Sequence, residues 1–509
     1  MSDADRRSRS GNAANGFGYE EALLFELSRE DRVGYSLPEL DVPAVSPTDV
    51  LPEGSVREDL AELPELSEVD VIRHFTRLST WNAAVDLGLY PLGSCTMKYN
   101  PKLNERVAHL AGFSAAHPRQ PAALLQGFLH LCYELARHLA EVSGMDRVTL
   151  QPAAGAQGEL AGIMMIRAYH EHRRDHRTKV MIPDTAHGTN PATATLNGYS
   201  VVEVPSNDAG ILEPAAVDAA MTEDVAGIMV TNPNTLGLFE ENMAAIAEII
   251  HAKGGLVYGD GANLNAVLGI ARPGDLGIDV MHFNLHKTFS TPHGGGGPGS
   301  GPVGIKNLLA KHLPVPVVQK SSGPDGDAYV LDSDFPLSIG RLHGNFGNAG
   351  MFVRAYAYLR SLGPDGLRRC ADMAVLNANY VLARLKDSGA YKIPFDRTVM
   401  HECIVSDGNF SEQGVSTLDI AKRLIDYGYH PPTTYFPLIV PGALMIEPTE
   451  SESLEGLDRF IEALLAIADE VHEDPELVRT APHHTRRSRL DETRAARKPV
   501  LRWQPNAAE

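Results

Sequence analysis

Several features are scarce or missing in this 509-residue sequence, and their scarcity narrows the class of protein. It has four cysteines, Cys95, Cys132, Cys370 and Cys403, and none of them forms a C-x-x-C pair. Isolated cysteines argue against a structural zinc site and against a disulfide framework. No apolar run approaches the roughly 18 residues that a membrane span requires, and residues 1–16 lack the apolar segment of a secretory signal. We therefore expect a soluble, cytoplasmic protein with no membrane partner.

Positive charge is also in deficit. Lysine and arginine number 45 against 65 aspartates and glutamates, which gives a formal net charge of −20 at pH 7. Binding to nucleic acid requires clustered lysine and arginine, so no nucleic-acid partner is expected. The hydrophobic share of 43% and the charged share of 22% are ordinary for a globular protein. The length is sufficient for a large core and for more than one lobe.

The spacing of apolar residues divides the chain into four parts. Residues 1–115 are predicted to form a flexible leader and an N-terminal arm. In 116–350, short apolar strands alternate with helices, which indicates a mostly parallel α/β sheet covered by helices on both faces. Residues 351–475 favour a smaller C-terminal α+β domain, and 476–509 an irregular tail. The strands expected in the sheet are 148–151, 180–183, 200–204, 226–231, 256–258 and 280–284.

Lys287 carries the strongest chemical signal in the sequence. It follows the last of these strands and precedes the glycine run Gly294–Gly297. A lysine at the end of a strand can lose its hydration, which makes its amine easier to deprotonate. Such an amine can attack a carbonyl group and hold it as a Schiff base. A lone lysine is more often a surface residue, so this interpretation depends on its neighbours.

Other candidates follow strands of the same sheet, where ligands gather in open α/β folds. The turn Ala154–Ala156 joins a strand to a helix and offers backbone N–H groups to a phosphate. Asp260 ends an apolar strand and could pair with a protonated ring nitrogen, cap a helix or bind a metal. His187 could stack on an aromatic cofactor, and Thr231 and Asn234 offer hydrogen bonds to a ring substituent.

Each of these signals alone is more often structural than functional. Together they supply a phosphate turn, a flat ring, a carboxylate and a lysine. Pyridoxal 5'-phosphate requires these groups: a phosphate anchor, a Schiff-base lysine, a neighbour on its face and an anion that keeps its pyridine nitrogen protonated. The sequence therefore predicts a pyridoxal-phosphate site.

Longer motifs extend the argument. They are Tyr90–Pro101, Asp184–Ala192, Asp260–Asn263, Asn284–Lys287 and His430–Glu452. With these motifs, nearly the whole chain after the leader resembles the C-terminal-type subunit of the pyridoxal-phosphate glycine decarboxylase, the P-protein of the glycine cleavage system. The resemblance implies an aspartate-aminotransferase-like (fold type I) structure and the activity of a glycine dehydrogenase (aminomethyl-transferring). Glycine would lose CO2, and its aminomethyl group would pass to the lipoyl arm of the H-protein.

The resemblance also implies a separate, homologous N-terminal-type subunit, with two copies of each in the assembly. It assigns the Schiff base to Lys287, the pyridine-nitrogen contact to Asp260, the stacked ring to His187 and an acid–base role beside the lysine to His286. The cofactor contacts it implies are Ala154, Gly155, Ala156, His187, Thr231, Asn234, Asp260, Asn263, Asn284 and Lys287. The residues expected on the substrate side are Tyr90, Ser94, Thr96, Lys98, Arg341, His343 and Asn345.

The sequence also admits competing interpretations. An aminotransferase or another amino-acid decarboxylase could use the same fold, because fold does not determine function. A non-catalytic scaffold subunit would have no need of Lys287 and Asp260. The stretch Gly294–Gly301 lacks the G-K-[ST] ending of a nucleotide-binding loop. His282 and His286 flank a strand end and do not share a helix face, so no metal site is expected.

Overall fold

The computed structural model describes residues 21–57, 63–291, 298–324 and 326–502. The glycine run Gly294–Gly297, noted beside Lys287, lies outside the described residues. The chain divides into two compact units, Met1–Ala84 with His484–Glu509, and Val85–His483. Within the described ranges, no helix is both long enough and apolar enough to cross a membrane.

The first unit is built from short helices and extended chain. Its longest helix begins where the Ser67 side chain accepts the Asp70 N–H at 3.2 Å, which satisfies a free donor of the first turn. The half-buried Glu21 carboxylate accepts hydrogen bonds from Arg77 and contacts His74 on the same helix. The helices of this unit are α1 Leu24–Leu27, α2 Pro47–Val50, α3 Glu68–Ser79 and a tail helix Glu492–Arg497.

The second unit contains a seven-stranded sheet with the order β1-β7-β6-β5-β4-β2-β3. All strands run parallel except β7, which is antiparallel to both β1 and β6. Its central strands are buried on both faces, which explains their unbroken apolar sequence. The strands are β1 Arg147–Thr149, β2 Lys179–Pro183, β3 Ser200–Val204, β4 Val225–Thr231, β5 Leu256–Gly261, β6 Val280–Phe283 and β7 Val303–Ile305.

The pairing of the central strands sets side chains of separate sequence motifs beside one another. In the parallel register, Thr231 of β4 pairs with Asp260 of β5, and Asp260 pairs with His282 of β6. All three lie at or close to the carboxyl ends of their strands, where parallel sheets bind ligands. The prediction of a mostly parallel α/β sheet is confirmed, and its register already brings candidate residues to one edge.

Helices cover the sheet on both faces. The helices are α4 Lys102–Ala108, α5 Ala111–Ser114, α6 Gln126–Ser143, α7 Gly155–His172, α8 Thr189–Leu196, α9 Pro214–Ala220, α10 Met243–Ala252, α11 Ala349–Ser388, α12 Thr417–Asp426, α13 Leu454–Glu473 and α14 Pro475–Arg479. Phe128 of α6, Ile246 of α10 and Phe352 of α11 belong to one apolar cluster, while Ile163 of α7 and Ala194 of α8 belong to another.

Two smaller sheets follow in the chain. Strands β8 Val317–Gly323 and β9 Gly326–Asp332 form an antiparallel hairpin. Strands β10 Cys403–Ser406, β11 Thr433–Thr434 and β12 Ala443–Ile446 form an antiparallel sheet in the order β10-β12-β11, and α12 and α13 share its apolar cluster. Helix α11 begins at Ala349 and is kinked at Gly363, which has a φ of 63°. The domain boundary at residue 350 stays a prediction.

Candidate active site

A cavity of about 200 Å³ opens at the carboxyl ends of the central strands. It collects residues from the first turn of α7, from the segments after β2, β4, β5 and β6, and from the segment before β10. The sequence candidates that line this cavity are Ser94, Gly155, Ala156, His187, Thr231, Asn234, Asp260, Asn263, Asn284, His286 and Lys287.

The other candidates lie outside the described lining of the cavity. The Lys98 ammonium is buried and donates hydrogen bonds to Glu450 at 2.7 Å and to Asn265 at 2.9 Å. Tyr90 stacks on His430 with ring centroids 4.0 Å apart. The cavity lining described here does not include Ala154, Tyr90, Thr96, Lys98, Arg341, His343 or Asn345.

Asp260 is a buried carboxylate of the site, and its neighbours stabilise its ionised form. It is 4% exposed, and it accepts hydrogen bonds from the Asn190 side chain and from the Ala262 N–H, each at 3.0 Å. His282 Nε2 lies 3.4 Å from its Oδ1. Burial alone would raise the pKa of the Asp260 carboxyl, but His282, these two donors and the charge of Lys287 together hold the pKa below its ordinary value. Asp260 is therefore ionised at neutral pH.

His282 is oriented by the tyrosine that packs beside it. The Tyr258 hydroxyl lies 2.5 Å from His282 Nδ1. Burial raises the pKa of Tyr258 well above its ordinary value and lowers the pKa of His282, so the phenol keeps its proton and the imidazole is neutral. We therefore assign Tyr258 O–H as the donor to Nδ1, which places the ring proton on Nε2, facing Asp260.

Glu159 is a second buried acid on this side of the cavity, and the sequence analysis missed it. It lies on α7, where it accepts hydrogen bonds from Thr189 at 2.7 Å, Asn190 at 3.1 Å and Thr193 at 3.3 Å. Burial, followed by the charge of Asp260, raises the pKa of the Glu159 carboxyl to about 7. The sequence did contain a signal for this acid, because Glu159 is a charged residue within a largely apolar helix.

His187 presents a neutral ring to the cavity. Its Nδ1 accepts the Thr189 N–H at 3.2 Å and lies 2.8 Å from the Thr189 hydroxyl. Burial lowers the pKa of His187, so the ring is uncharged near neutral pH. Its ring also contacts Phe436, with centroids 5.6 Å apart. A flat ring held in this way can pack against an aromatic ligand.

The first turn of α7 and the segment that carries Lys287 approach each other closely. A Cβ atom on Gly155 would lie 2.8 Å from Asn284 Oδ1, so a larger residue here would displace the Asn284 side chain. The Lys287 N–H donates to the Asn284 carbonyl oxygen at 3.0 Å, which forms a tight turn after β6. Because α7 is 18 residues long, its N-terminus at Gly155 and Ala156 favours an anion.

Three buried polar atoms of the lining have no hydrogen-bond partner among the described residues. They are the Thr231 hydroxyl, Asn284 Oδ1 and His401 Nδ1. Buried polar groups are nearly always paired, so unpaired ones at a cavity wall indicate a polar ligand. The helix N-terminus suits a phosphate, His187 an aromatic ring, Asp260 a protonated ring nitrogen and Lys287 an aldehyde. The residues present therefore fit pyridoxal phosphate.

A second pair of acids, also missed from the sequence, lies at the same cavity. Glu402 lines it, and its Oε2 accepts the Ser94 N–H at 3.0 Å. Glu447 accepts the Thr96 N–H at 2.9 Å and the Thr96 hydroxyl at 2.7 Å. The sequence signal for these acids was their position at strand ends: Glu402 comes directly before β10, and Glu447 comes directly after β12.

The sheet order and the position of the cavity define the class of the protein, the aspartate-aminotransferase-like fold type I. The structure is similar to an inhibitor-bound glycine decarboxylase (P-protein) of the glycine cleavage system, with a TM-score of 0.70 and 22% identity, covering 83% of this chain and 93% of that one. It is also similar to an aspartate aminotransferase from Thermus thermophilus, with a TM-score of 0.55 and 12% identity, covering 75% and 99%. Such low identities establish the fold alone.

The particular family follows from closer matches. Residues 42–333 match the family model "Glycine cleavage system P-protein", and residues 370–484 match "Glycine dehydrogenase, C-terminal domain". The chain is 58% identical to the "probable glycine dehydrogenase (decarboxylating) subunit 2" of Bacillus licheniformis, over 95% of this chain and 99% of that one. A relative of the same name from Caldanaerobacter subterraneus is 56% identical, with 95% and 98% covered. The chain belongs to the glycine dehydrogenase (decarboxylating) P-protein family, and the resemblance seen in the sequence is confirmed.

Proposed function

We propose that this chain binds pyridoxal phosphate through Lys287, decarboxylates glycine and passes the aminomethyl group to the lipoyl arm of the H-protein. The observation that carries the proposal is the meeting of Lys287, Asp260 and the first turn of α7 in one cavity. Three unpartnered polar atoms, the Thr231 hydroxyl, Asn284 Oδ1 and His401 Nδ1, support a polar ligand there.

When bound, pyridoxal phosphate supplies an electron sink for the pair of electrons that the departing CO2 leaves behind. Lys287 would hold the cofactor through its amine. Asp260, kept ionised by its donors, would hold a proton on the ring nitrogen. Gly155 and Ala156 at the start of α7 would hold the phosphate, and His187 would pack against the ring.

His286 is suited to move a proton beside Lys287. Its Nδ1 accepts the Ser300 N–H at 3.2 Å, so the neutral imidazole carries its proton on Nε2. Nε2 is therefore the atom that would give a proton. Ser94 and Asn263 line the same cavity and offer neutral hydrogen-bond groups to the cofactor and the substrate. Asn234 also lines it, but its amide is already fully paired within the chain.

The proposed partners are a homologous N-terminal-type subunit, with two copies of each chain, and the lipoylated H-protein. The first is supported by the relatives in Bacillus licheniformis and Caldanaerobacter subterraneus, whose names designate a subunit 2. The second is supported by membership of the glycine cleavage system P-protein family.

The test is a comparison of the wild-type chain with Lys287→Ala, each with the partner subunit, pyridoxal phosphate and lipoylated H-protein. Lys311→Ala, an exposed lysine outside the described cavity lining, is the matched control. We expect Lys287→Ala to lose the visible absorption of the lysine-bound cofactor and to release CO2 from glycine more slowly by at least about 10³-fold. If Lys287→Ala retains both properties, or if wild type and Lys311→Ala show neither, the proposal is wrong.

A further inference from the structure

Glu402 and Glu447 form a close pair of buried carboxyl groups. Glu402 is 4% exposed and Glu447 is fully buried. One polar atom from each of Glu402, Glu447 and His401 lies within 4.8 Å of the other two. Two carboxylates at this separation, both removed from water, repel each other strongly if both are ionised. One member of the pair is therefore expected to keep a proton.

The segment that binds this pair is shaped to give each acid its own donor. Ser94 directs its N–H to Glu402, and Thr96 directs its N–H and its hydroxyl to Glu447. Ser94 has a φ of 66° and Thr96 a φ of 49°, which is the left-handed region that non-glycine residues seldom occupy. Such a backbone conformation persists where the surroundings require it. Here it directs the three donor groups of Ser94 and Thr96 to the two acids.

The surroundings of the pair favour its protonated form. Burial raises the pKa of Glu402, and it raises the pKa of Glu447 to about 7. Lys287 opposes this shift for both acids. Burial also raises the pKa of the Cys95 thiol and lowers the pKa of His401, so both of these groups are neutral near pH 7. The titratable and charged groups that face the pair are Lys287, Cys95 and His401.

The cavity offers few charged donors for the carboxylate of a substrate. Among the described residues that line it, Lys287 is the only lysine or arginine. In the proposed function, the Lys287 amine is committed to the cofactor. A substrate carboxylate would therefore have to be held by a neutral donor. Glu402 lines the cavity while Glu447 does not, so Glu402 is the member of the pair that can reach a ligand.

We propose that Glu402, carrying the proton that it shares with Glu447, donates a hydrogen bond to the carboxylate of the amino-acid substrate. The proposal rests on the proposed function and identifies the carboxylate-binding group of the same site. It suits a decarboxylation, because the carboxylate leaves as neutral CO2. A guanidinium would stabilise the starting carboxylate more than the transition state and so slow the step. A neutral O–H group binds the substrate carboxylate but stabilises the starting state less than a guanidinium would, so it slows the step less.

The test measures the glycine dissociation constant by spectroscopic titration of the full chain, loaded with pyridoxal phosphate and its partner subunit, between about pH 6 and about pH 8.5. For wild type, glycine binding should weaken as the pH rises and the shared proton is lost, by up to about tenfold per pH unit. Glu402→Gln keeps a neutral donor, so its binding should vary little over this range. Glu402→Ala has no donor and should bind glycine about 10- to 100-fold more weakly at the lower pH.

Glu452→Gln is the matched control, because Glu452 is a half-buried acid outside the described cavity lining. It should follow the wild-type curve. The proposal is overturned if Glu402→Gln keeps the wild-type pH dependence, or if Glu402→Ala binds glycine as tightly as wild type.

Infrared spectroscopy of the cofactor-free chain tests the shared proton separately from the proposed function. The band of a protonated carboxyl group should be present near neutral pH and should weaken in Glu402→Gln and in Glu447→Gln. An unchanged band in both variants overturns the inference. If instead the band behaves as expected while wild type binds neither pyridoxal phosphate nor glycine, the shared proton is supported and the proposed function is the part that fails.

Discussion

Two pairs of buried carboxyl groups lie at or beside the cavity, and the two pairs differ in charge. In the first, Asp260 has its pKa held below the ordinary value, while the pKa of Glu159 is raised to about 7. In the second, the pKa values of both Glu402 and Glu447 are raised. The first pair therefore includes one fixed negative charge, whereas the second is suited to hold a proton.

The difference comes from the neighbours and not from burial, because burial raises the pKa in all four cases. Asp260 has an imidazole at 3.4 Å, and Asn190 and Ala262 both donate to it. Glu402 receives one backbone N–H and lies close to a second acid. Sites that need an acid and an anion together commonly separate the pKa values of their carboxyl groups in this way. A fixed anion suits a protonated ring nitrogen, and a protonated acid suits a substrate carboxylate.

The largest effect is expected when the fixed charge is removed. Asp260→Asn keeps the shape of the side chain but cannot hold a proton on a ring nitrogen. We expect CO2 release from glycine to fall on the order of 10²- to 10³-fold, as when one electrostatic group of a site is removed. The assay contains the partner subunit, pyridoxal phosphate and lipoylated H-protein.

The matched control for this change is Asp279→Asn. Asp279 is also buried in the sheet, but it precedes β6 and binds His251 and the Val257 N–H, outside the described cavity lining. Its loss should lower the thermal midpoint more than the rate. Equal rate losses in both variants would mean that Asp260 acts only through folding.

Much of the first pair's side of the cavity could be predicted from the sequence. Apolar runs in the sequence predicted the strands of the sheet, and a residue that follows such a strand lies at its carboxyl end. Lys287, Asp260, His187 and Thr231 all follow or end a strand, and all line the cavity. Local order in the sequence was sufficient, because adjacent parallel strands place these positions side by side.

The second pair could not be found in this way. Ser94 and Glu402 are 308 positions apart, and Thr96 and Glu447 are 351 apart. Their contacts depend on how the small β10–β12 sheet packs beside the cavity, which no local pattern encodes. Lys98 illustrates the same difficulty. Its ammonium forms a buried ion pair with Glu450, a contact across 352 positions of sequence, and its substrate role stays a prediction.

A smaller effect should appear in the pH dependence of stability. The pKa of Glu447 is raised from 4.5 to about 7 in the folded chain, so the folded state binds this proton more tightly than the unfolded state. The contribution of Glu447 to the stability of the folded chain is complete below about pH 4.5 and is lost as the pH rises through about 7. The loss amounts to about 3 kcal/mol at most.

Glu447→Gln cannot titrate, so its thermal midpoint should fall less than that of wild type between about pH 5 and about pH 8. The contribution of Asp260 to the pH dependence of stability has the opposite sign, because its lowered pKa gives stability that is lost as the pH falls. Glu412→Gln, at an exposed glutamate outside the described cavity lining, serves as the control and should follow wild type. A midpoint that falls equally in wild type and in Glu447→Gln would show that Glu447 does not hold a proton in the folded chain.

The smallest effect is expected for Glu159→Gln, which tests whether Asp260 needs a charged neighbour. Below about pH 7, Glu159 is largely protonated, and glutamine reproduces its neutral form. The hydroxyls of Thr189 and Thr193 can either donate or accept, so they can pair with the new amide. Cofactor affinity, measured by absorption titration, should therefore change by less than about tenfold, the equivalent of one pKa unit. Asp260→Asn is measured in the same titration. If Glu159→Gln loses as much cofactor affinity as Asp260→Asn, the two acids act as one anionic unit, and the two pairs do not differ as described.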